Sequence, residues 1–189
     1  MNNVNSKIPV IGISTNTTDR ISTLGFTKGQ QEAYNNLLEF INSDYNPNDF
    51  KRALVGYAGT GKTYLSSCVA NELIKKGYSV LYQTAPVLLD DIMRYKYDTN
   101  SSHELYENLF NVNLLIIDDL GTENASGAKF TEIFTIINAR MLKPDTKTII
   151  STNFTLKELS KIYDTRIMSR LIGGFDILGL FGNDLRLKK

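Results

Sequence analysis

The chain has 189 residues, 42% of them hydrophobic and 22% charged, and a formal net charge of +1. That balance suits one globular domain with a substantial core and gives no global electrostatic case for nucleic acid. A single cysteine and a single histidine, Cys68 and His103, exclude an internal disulfide and a Cys/His metal centre. No apolar run nears the ~20 residues that span a bilayer, and the N-terminus lacks a signal-peptide pattern, so a cytoplasmic protein with no membrane association is expected.

Residues 1–24 are rich in Asn, Ser and Thr, broken by the apolar Ile8 to Ile13. They predict a flexible N-terminal tail, with an edge strand or a partner-binding arm as alternatives, ahead of one folded domain over 25–189. Thr27-Lys-Gly-Gln30 has the form of a capping box, and Ala33, Leu37, Leu38 and Ile41 follow at helical spacing. This predicts a helix over 27–43 that ends before Asn46-Pro47-Asn48. Phe26, Gln30 and Tyr34 stand where a nucleotide base would be enclosed, although core packing explains the aromatics better.

The stretch from Ala53 to Leu65 organises the chain. Gly56, Gly61, Lys62 and Thr63 fit G-x-x-x-x-G-K-[ST], between an apolar strand (Ala53 to Val55) and a helix (Tyr64 to Lys76). Leu65, Cys68, Val69 and Leu73 are expected on the inner face of that helix. Gly56, Gly59 and Gly61 let the backbone curl with its N–H groups inward, where side chains would obstruct phosphates. The candidate nucleotide-binding set is therefore Gly56, Tyr57, Ala58, Gly59, Thr60, Gly61, Lys62, Thr63 and Tyr64. The helix N-terminus adds partial positive charge. Lys62 would reach the β- and γ-phosphates of ATP, and the Thr63 hydroxyl would ligate Mg²⁺.

Downstream, Lys75-Lys76-Gly77 closes the helix, Ser79 to Thr84 reads as a strand, and helices are predicted over 86–96 and 102–111. Leu114-Leu-Ile-Ile-Asp118-Asp119 reads as a strand buried on both faces that ends in two carboxylates. Strand C-terminal ends are where open α/β sheets bind ligands. Asp118 is placed to hold Mg²⁺ through water, and Asp119 to polarise the water that attacks the γ-phosphate. A helix over 128–142 is expected to turn Phe130, Ile133, Phe134, Ile137 and Met141 inward. A further strand, Lys147 to Ser151, ends in Ser151-Thr152-Asn153, where Asn153 can hydrogen-bond the water or the γ-phosphate or serve a plain turn. Thr155 to Glu158 caps another helix. Arg166 and Arg170 follow on one helical face, then Gly173-Gly174, an apolar stretch to Phe181, and Arg186 near the end.

Five segments in this order resemble the AAA+ ATPases of the DnaC/DnaI helicase-loader and IstB type. They are Gly-Tyr-Ala-Gly-Thr-Gly-Lys-Thr (56–63), Leu-Leu-Ile-Ile-Asp-Asp-Leu-Gly (114–121), Ile-Ile-Ser-Thr-Asn (149–153), Thr-Arg-Ile-Met-Ser-Arg-Leu (165–171) and Gly-Asn-Asp-Leu-Arg (182–186). The resemblance implies a P-loop α/β fold, with a parallel sheet of order 5-1-4-3-2, helices on both faces and a reduced lid. It implies an ATPase in which Lys62, Asp119, Asn153, Arg170 and Arg186 are catalytic. There Asn153 is similar to sensor 1, Arg170 to an arginine finger acting on a neighbouring subunit, and Arg186 to a sensor 2 arginine acting in cis. Hydrolysis by a lone subunit would be slow.

The implied partners are a replicative helicase or, for an IstB-like transposition helper, a transposase, with single-stranded DNA and a homo-oligomer formed with ATP and DNA. The segment from Asp91 to Tyr97, with Arg94, Tyr95, Lys96 and Tyr97, lies where such proteins contact DNA, and an ordinary amphipathic helix explains it as well. The Asp118-Asp119 pair departs from the commoner Asp-Glu and bears on the hydrolysis rate. The stretch before the loop, about fifty residues, is too short for the usual helicase-binding domain plus a helix. An ATP-binding adaptor with negligible hydrolysis and a superfamily 1 helicase relative stand as alternatives. The latter has Gln30 reading adenine, but it lacks a Gly-Asp-x-x-Gln after the acidic strand.

Overall fold

The computed structural model describes residues 26–43, 51–97, 103–124 and 126–181. Along them run α1 (Lys28–Asn42), β1 (Lys51–Gly56), α2 (Lys62–Lys75), β2 (Val80–Thr84), α3 (Ala85–Tyr97) and α4 (His103–Asn111). They are followed by β3 (Leu114–Asp118), α5 (Gly127–Leu142), β4 (Lys147–Thr152), α6 (Leu156–Ile162), α7 (Thr165–Gly174) and β5 (Phe175–Leu180). The tail predicted over residues 1–24, the Asn46-Pro47-Asn48 turn and Arg186 lie outside the described residues.

Local chemistry sets the helix starts. Thr27 caps α1 by accepting the Gln30 amide, while the Gln30 side chain accepts the Thr27 amide at 2.9 Å. Thr155 and Glu158 repeat this reciprocal pair at α6, and each such cap is worth about 1 kcal/mol.

The sheet is wholly parallel with strand order β2-β3-β4-β1-β5, the predicted 5-1-4-3-2 read from the other edge. β3 alternates its side chains between two cores. Leu114 and Ile116 join Leu54, Val80 and Ile149 beneath α1 and α2, where Leu37, Leu65 and Val69 cover them. Leu115 and Ile117 join Leu81 and Ile150 beneath the helices of the other face, including Leu89, Leu109, Ile133 and Ile167. With every β3 residue buried, each large apolar side chain contributes roughly 1.5–3 kcal/mol. The pattern Leu-Leu-Ile-Ile is what a strand covered on both faces requires.

Two expectations need correction. α5 turns Glu132, Ile133, Ile136, Ile137 and Arg140 inward, while Phe130, Phe134 and Met141 pack only partly buried at the side. Arg140 is the reason. Its guanidinium, 1% exposed, donates to the carbonyls of Leu109, Val112 and Lys147 and to the Thr148 hydroxyl. Burial pulls its pKa down to about 9, which leaves it charged at neutral pH. β1 also begins earlier than its apolar residues suggest. Lys51 donates to the Thr146 carbonyl, and Arg52 lies over Phe40 and pairs with Asp176 at 2.9 Å, so both cations enter the fold with polar partners.

Candidate functional site

The C-terminal ends of β1, β3 and β4 form one edge of the sheet, and the predicted site residues gather there. The loop from Tyr57 to Gly61 joins β1 to α2. Gly59 and Gly61 have φ of 78° and 93°, the left-handed region that glycine enters without cost. Gly56 is glycine for another reason. It pairs in the sheet with Leu180 of β5, and a Cβ there would overlap the Leu180 carbonyl oxygen. Gly61 precedes α2 and gives no side-chain cap, so the first amides of that helix keep their hydrogen-bonding capacity for an anion.

Lys62 is buried and donates from Nζ to the carbonyls of Gly56 and Tyr57, both at 2.8 Å. Thr60, also buried, closes the loop by donating to the Tyr57 carbonyl at 2.8 Å. Tyr57 and Ala58 are exposed, Tyr64 is half-buried, and Thr63 opens α2 on its exposed side. Gln30 reaches from α1 to donate to the Thr60 carbonyl at 3.0 Å, with its amide oxygen already taken by its own cap. One end of this glutamine therefore braces the loop and the other caps α1. Phe26 packs against Tyr34 and Tyr64, with ring centroids 5.2 and 5.8 Å apart.

Asp118 ends β3 with 2% exposure, and each of its oxygens is held. Oδ1 accepts the Ser151 hydroxyl and the Asp119 amide, the latter at 3.1 Å. Oδ2 accepts the Tyr82 hydroxyl at 2.7 Å. Burial and the adjacent Asp118 push the Tyr82 phenol far above its usual range, so it is a donor at any ordinary pH. Tyr82 also lies 3.5 Å from the Thr63 carbonyl oxygen, which brings β2, β3 and the start of α2 together. A carboxylate and a hydroxyl beside a phosphate loop form an all-oxygen donor set, which fits Mg²⁺, a hard cation that keeps several waters.

Asp119 follows with φ 57°, in the left-handed region. Aspartate tolerates that conformation better than most residues, so the short carboxylate here suits the backbone that carries it. Burial and the charge on Asp118 raise its pKa, while Lys62 and the Asn153 hydrogen bond oppose the rise. Asn153 Nδ2 donates to Asp119 Oδ1 at 3.0 Å, so the ends of β3 and β4 bring these two predicted residues into contact. The following turn is fixed by a buried group that sequence reading missed. Glu123, 5% exposed, accepts the Tyr163 hydroxyl and the Gly121 amide, the latter at 2.9 Å. Gly121 has φ 99°, and a Cβ on it would meet Phe154 at 2.8 Å.

The arginines of α7 stand apart from this edge. Arg170 donates to Asn138 of α5 at 3.2 Å and lies 4.8 Å above the Phe134 ring. Arg166 covers the same ring at 5.4 Å and pairs with Asp164, the cap of α7, at 2.7 Å. On α3, two of the residues considered for DNA are engaged within the fold. Tyr95 stacks on Tyr106 with centroids 5.1 Å apart, and Lys96 pairs with buried Glu132 at 2.5 Å. Tyr97 is 80% exposed, and Arg94, 78% exposed at its side chain, pairs loosely with Asp91 at 3.6 Å.

Comparison with known proteins agrees with this geometry. The family profile of IstB-like ATP binding proteins matches residues 20–189. The replicative helicase loader DnaC of Escherichia coli strain K12 is 30% identical over 162 residues, covering 83% of this chain and 64% of that protein. The chain thus spans less than two thirds of the length of this curated relative. A solved structure of AMPPCP-bound DnaA from Aquifex aeolicus superposes with a TM-score of 0.69 at 27% identity, covering 83% of this chain and 48% of the other. A crystal structure of DnaI gives 0.69 at 25% identity, with 86% and 88% covered.

Proposed function

The chain belongs to the family of IstB-like ATP binding proteins, and from that premise we propose an ATP-dependent DNA-replication protein of helicase-loader type. The observation that carries the proposal is the assembly at one sheet edge of Lys62, Asp118, Asp119 and Asn153 around an uncapped α2 N-terminus. It is supported by 30% identity to a replicative helicase loader.

In this reading the loop amides and α2 take the phosphates of ATP, and Lys62 leaves the Gly56 and Tyr57 carbonyls for the β- and γ-oxygens. Thr63 and, through water, Asp118 would hold Mg²⁺, which would supply charge neutralisation for those oxygens. Asp119 draws the proton from the attacking water while Asn153 orients them. The bond from the γ-phosphorus to the bridging oxygen breaks, leaving ADP and phosphate. Arg170 acts on the nucleotide of a neighbouring subunit, and Arg186 acts in cis. Arg94 and Tyr97 are the α3 groups left to meet single-stranded DNA. The protein partner is a replicative helicase; the IstB-like match keeps a transposase as the second reading.

Steady-state ATP hydrolysis measured against protein concentration, with and without single-stranded DNA, tests this. The rate per subunit rises with both. A flat rate indifferent to DNA would overturn the assembly and leave a P-loop ATPase of unknown partner or, with negligible turnover, an ATP-binding adaptor.

A further inference from the structure

Asp118 is gripped from both neighbouring strands, and the two grips differ in origin. Ser151 on β4 belongs to the strand segment that ends in Asn153, and its hydroxyl faces Oδ1 across the sheet. Tyr82 on β2 pairs in register with Ile116, two residues before Asp118, and only a side chain as long as tyrosine spans that offset to Oδ2. Packing does not call for the hydroxyl. The ring lies against the core beneath α1 and α2, where an apolar residue would serve as well.

A carboxylate oxygen accepts about two hydrogen bonds. Oδ1 already has two, from the Ser151 hydroxyl and the Asp119 amide. Oδ2 has one, from Tyr82, which leaves a single acceptor position on this carboxylate. The phenol is also within 3.5 Å of the Thr63 carbonyl, so the same side chain sits against the residue whose hydroxyl opens α2. Without the phenol, the Ser151 hydroxyl and the Asp119 amide still hold Oδ1, and Oδ2 loses the donor that fixes it from the β2 side.

We propose that Tyr82 is a positioning residue for the divalent cation of this site, fixing the plane of Asp118 so that its last acceptor position serves the cation's water. The inference rests on the reading of Thr63 and Asp118 as the cation residues. In this role Tyr82 acts through the carboxylate it holds.

The test is equilibrium binding of a fluorescent ATP analogue, titrated with Mg²⁺ and repeated in EDTA, for wild type, Tyr82→Phe and Tyr82→Leu. Removing a hydrogen-bond partner behind a metal ligand typically costs 10–100-fold in metal affinity. The expected result is a rise of about tenfold or more in the Mg²⁺ concentration at half-effect for both variants, with affinity in EDTA within about twofold of wild type. A general packing defect would weaken binding in EDTA as well, and would overturn the proposal. So would a Mg²⁺ half-effect that is unchanged, or lower, in Tyr82→Phe while the wild type depends on Mg²⁺. A wild type that binds equally with Mg²⁺ and in EDTA would instead overturn the assignment of Thr63 and Asp118, and the role of Tyr82 with it.

Discussion

The end of β3 and the outer face of α7 carry the two halves of one proposed reaction, and they are built in opposite ways. At the strand end, Asp118 is buried and held on both oxygens by side chains of the two neighbouring strands and by the Asp119 amide. On α7, Arg170 lies over a ring of α5 and, among the described residues, donates through Nε alone to Asn138. The first arrangement is complete within one chain. The second holds a cation in readiness without committing it, as a group serving another subunit requires.

The largest test of that difference is Arg170→Ala. An arginine supplied in trans is worth roughly 10³–10⁵ in rate, so kcat should fall by about 10³ or more while nucleotide affinity stays within a few-fold. Mixing it with Asp119→Asn protein should restore part of the activity, because each variant supplies what the other lacks. A small loss, or no recovery on mixing, would place the whole reaction at the strand end.

Asp119→Asn comes next, with an expected loss of roughly 10²-fold if the carboxylate acts as base. Asp119→Glu separates chemistry from backbone. With φ 57° at this position, the longer acid is strained by up to ~1 kcal/mol, so it should lower the melting temperature and should not improve the rate. A faster Asp119→Glu enzyme would mean that side-chain length, not the turn, sets the choice of aspartate.

How much of this was legible without coordinates follows from what each feature depends on. The phosphate loop and the acidic strand could be read because their determinants are contiguous: Gly59 and Gly61 supply the left-handed turns, and Leu114 to Ile117 the doubly buried strand. The strand order followed from the family resemblance, and the parallel sheet with helices on both faces from the alternation of strands and helices. The inner face of α5 was misjudged because hydrophobic periodicity cannot anticipate a fully buried arginine, and Arg140 is satisfied by carbonyls far along the chain. The start of β1 was hidden for the same reason, behind Lys51 and Arg52. Tyr82 carries no local signal at all, since its meaning depends on a two-residue offset between parallel strands. Ser151 was within reach: it stands two residues before Asn153, at the C-terminal end of the strand beside β3. Asp119 stands where glutamate is commoner, and the left-handed backbone that suits the shorter acid carries no signal in the sequence.

A smaller effect is expected from Asn153→Ala, about tenfold in rate, together with a shift in pH dependence. The Asn153 amide favours the ionised form of Asp119, whose pKa is already raised by burial and by Asp118. Removing it raises that pKa further. The acid limb of the pH–rate profile, where Asp119 must lose its proton, should therefore move to higher pH in Asn153→Ala. An unmoved limb would mean that Asp119 is not the titrating group.

The smallest effect, and the sharpest check on the α7 side, belongs to Arg166→Ala. Arg166 shares the Phe134 ring with Arg170 but is tied to Asp164 through Nε at 3.0 Å and a terminal nitrogen at 2.7 Å. An exposed pair of this kind is worth at most ~1 kcal/mol, and Asp164 still caps α7 through the Ile167 amide without it. Hydrolysis should stay within about threefold of wild type and the fold should be retained. A loss as large as that of Arg170→Ala would show that the arginine committed to a local carboxylate is the one offered to the neighbour. The contrast between a sealed strand end and an uncommitted arginine would then have been drawn one helical turn too late on α7.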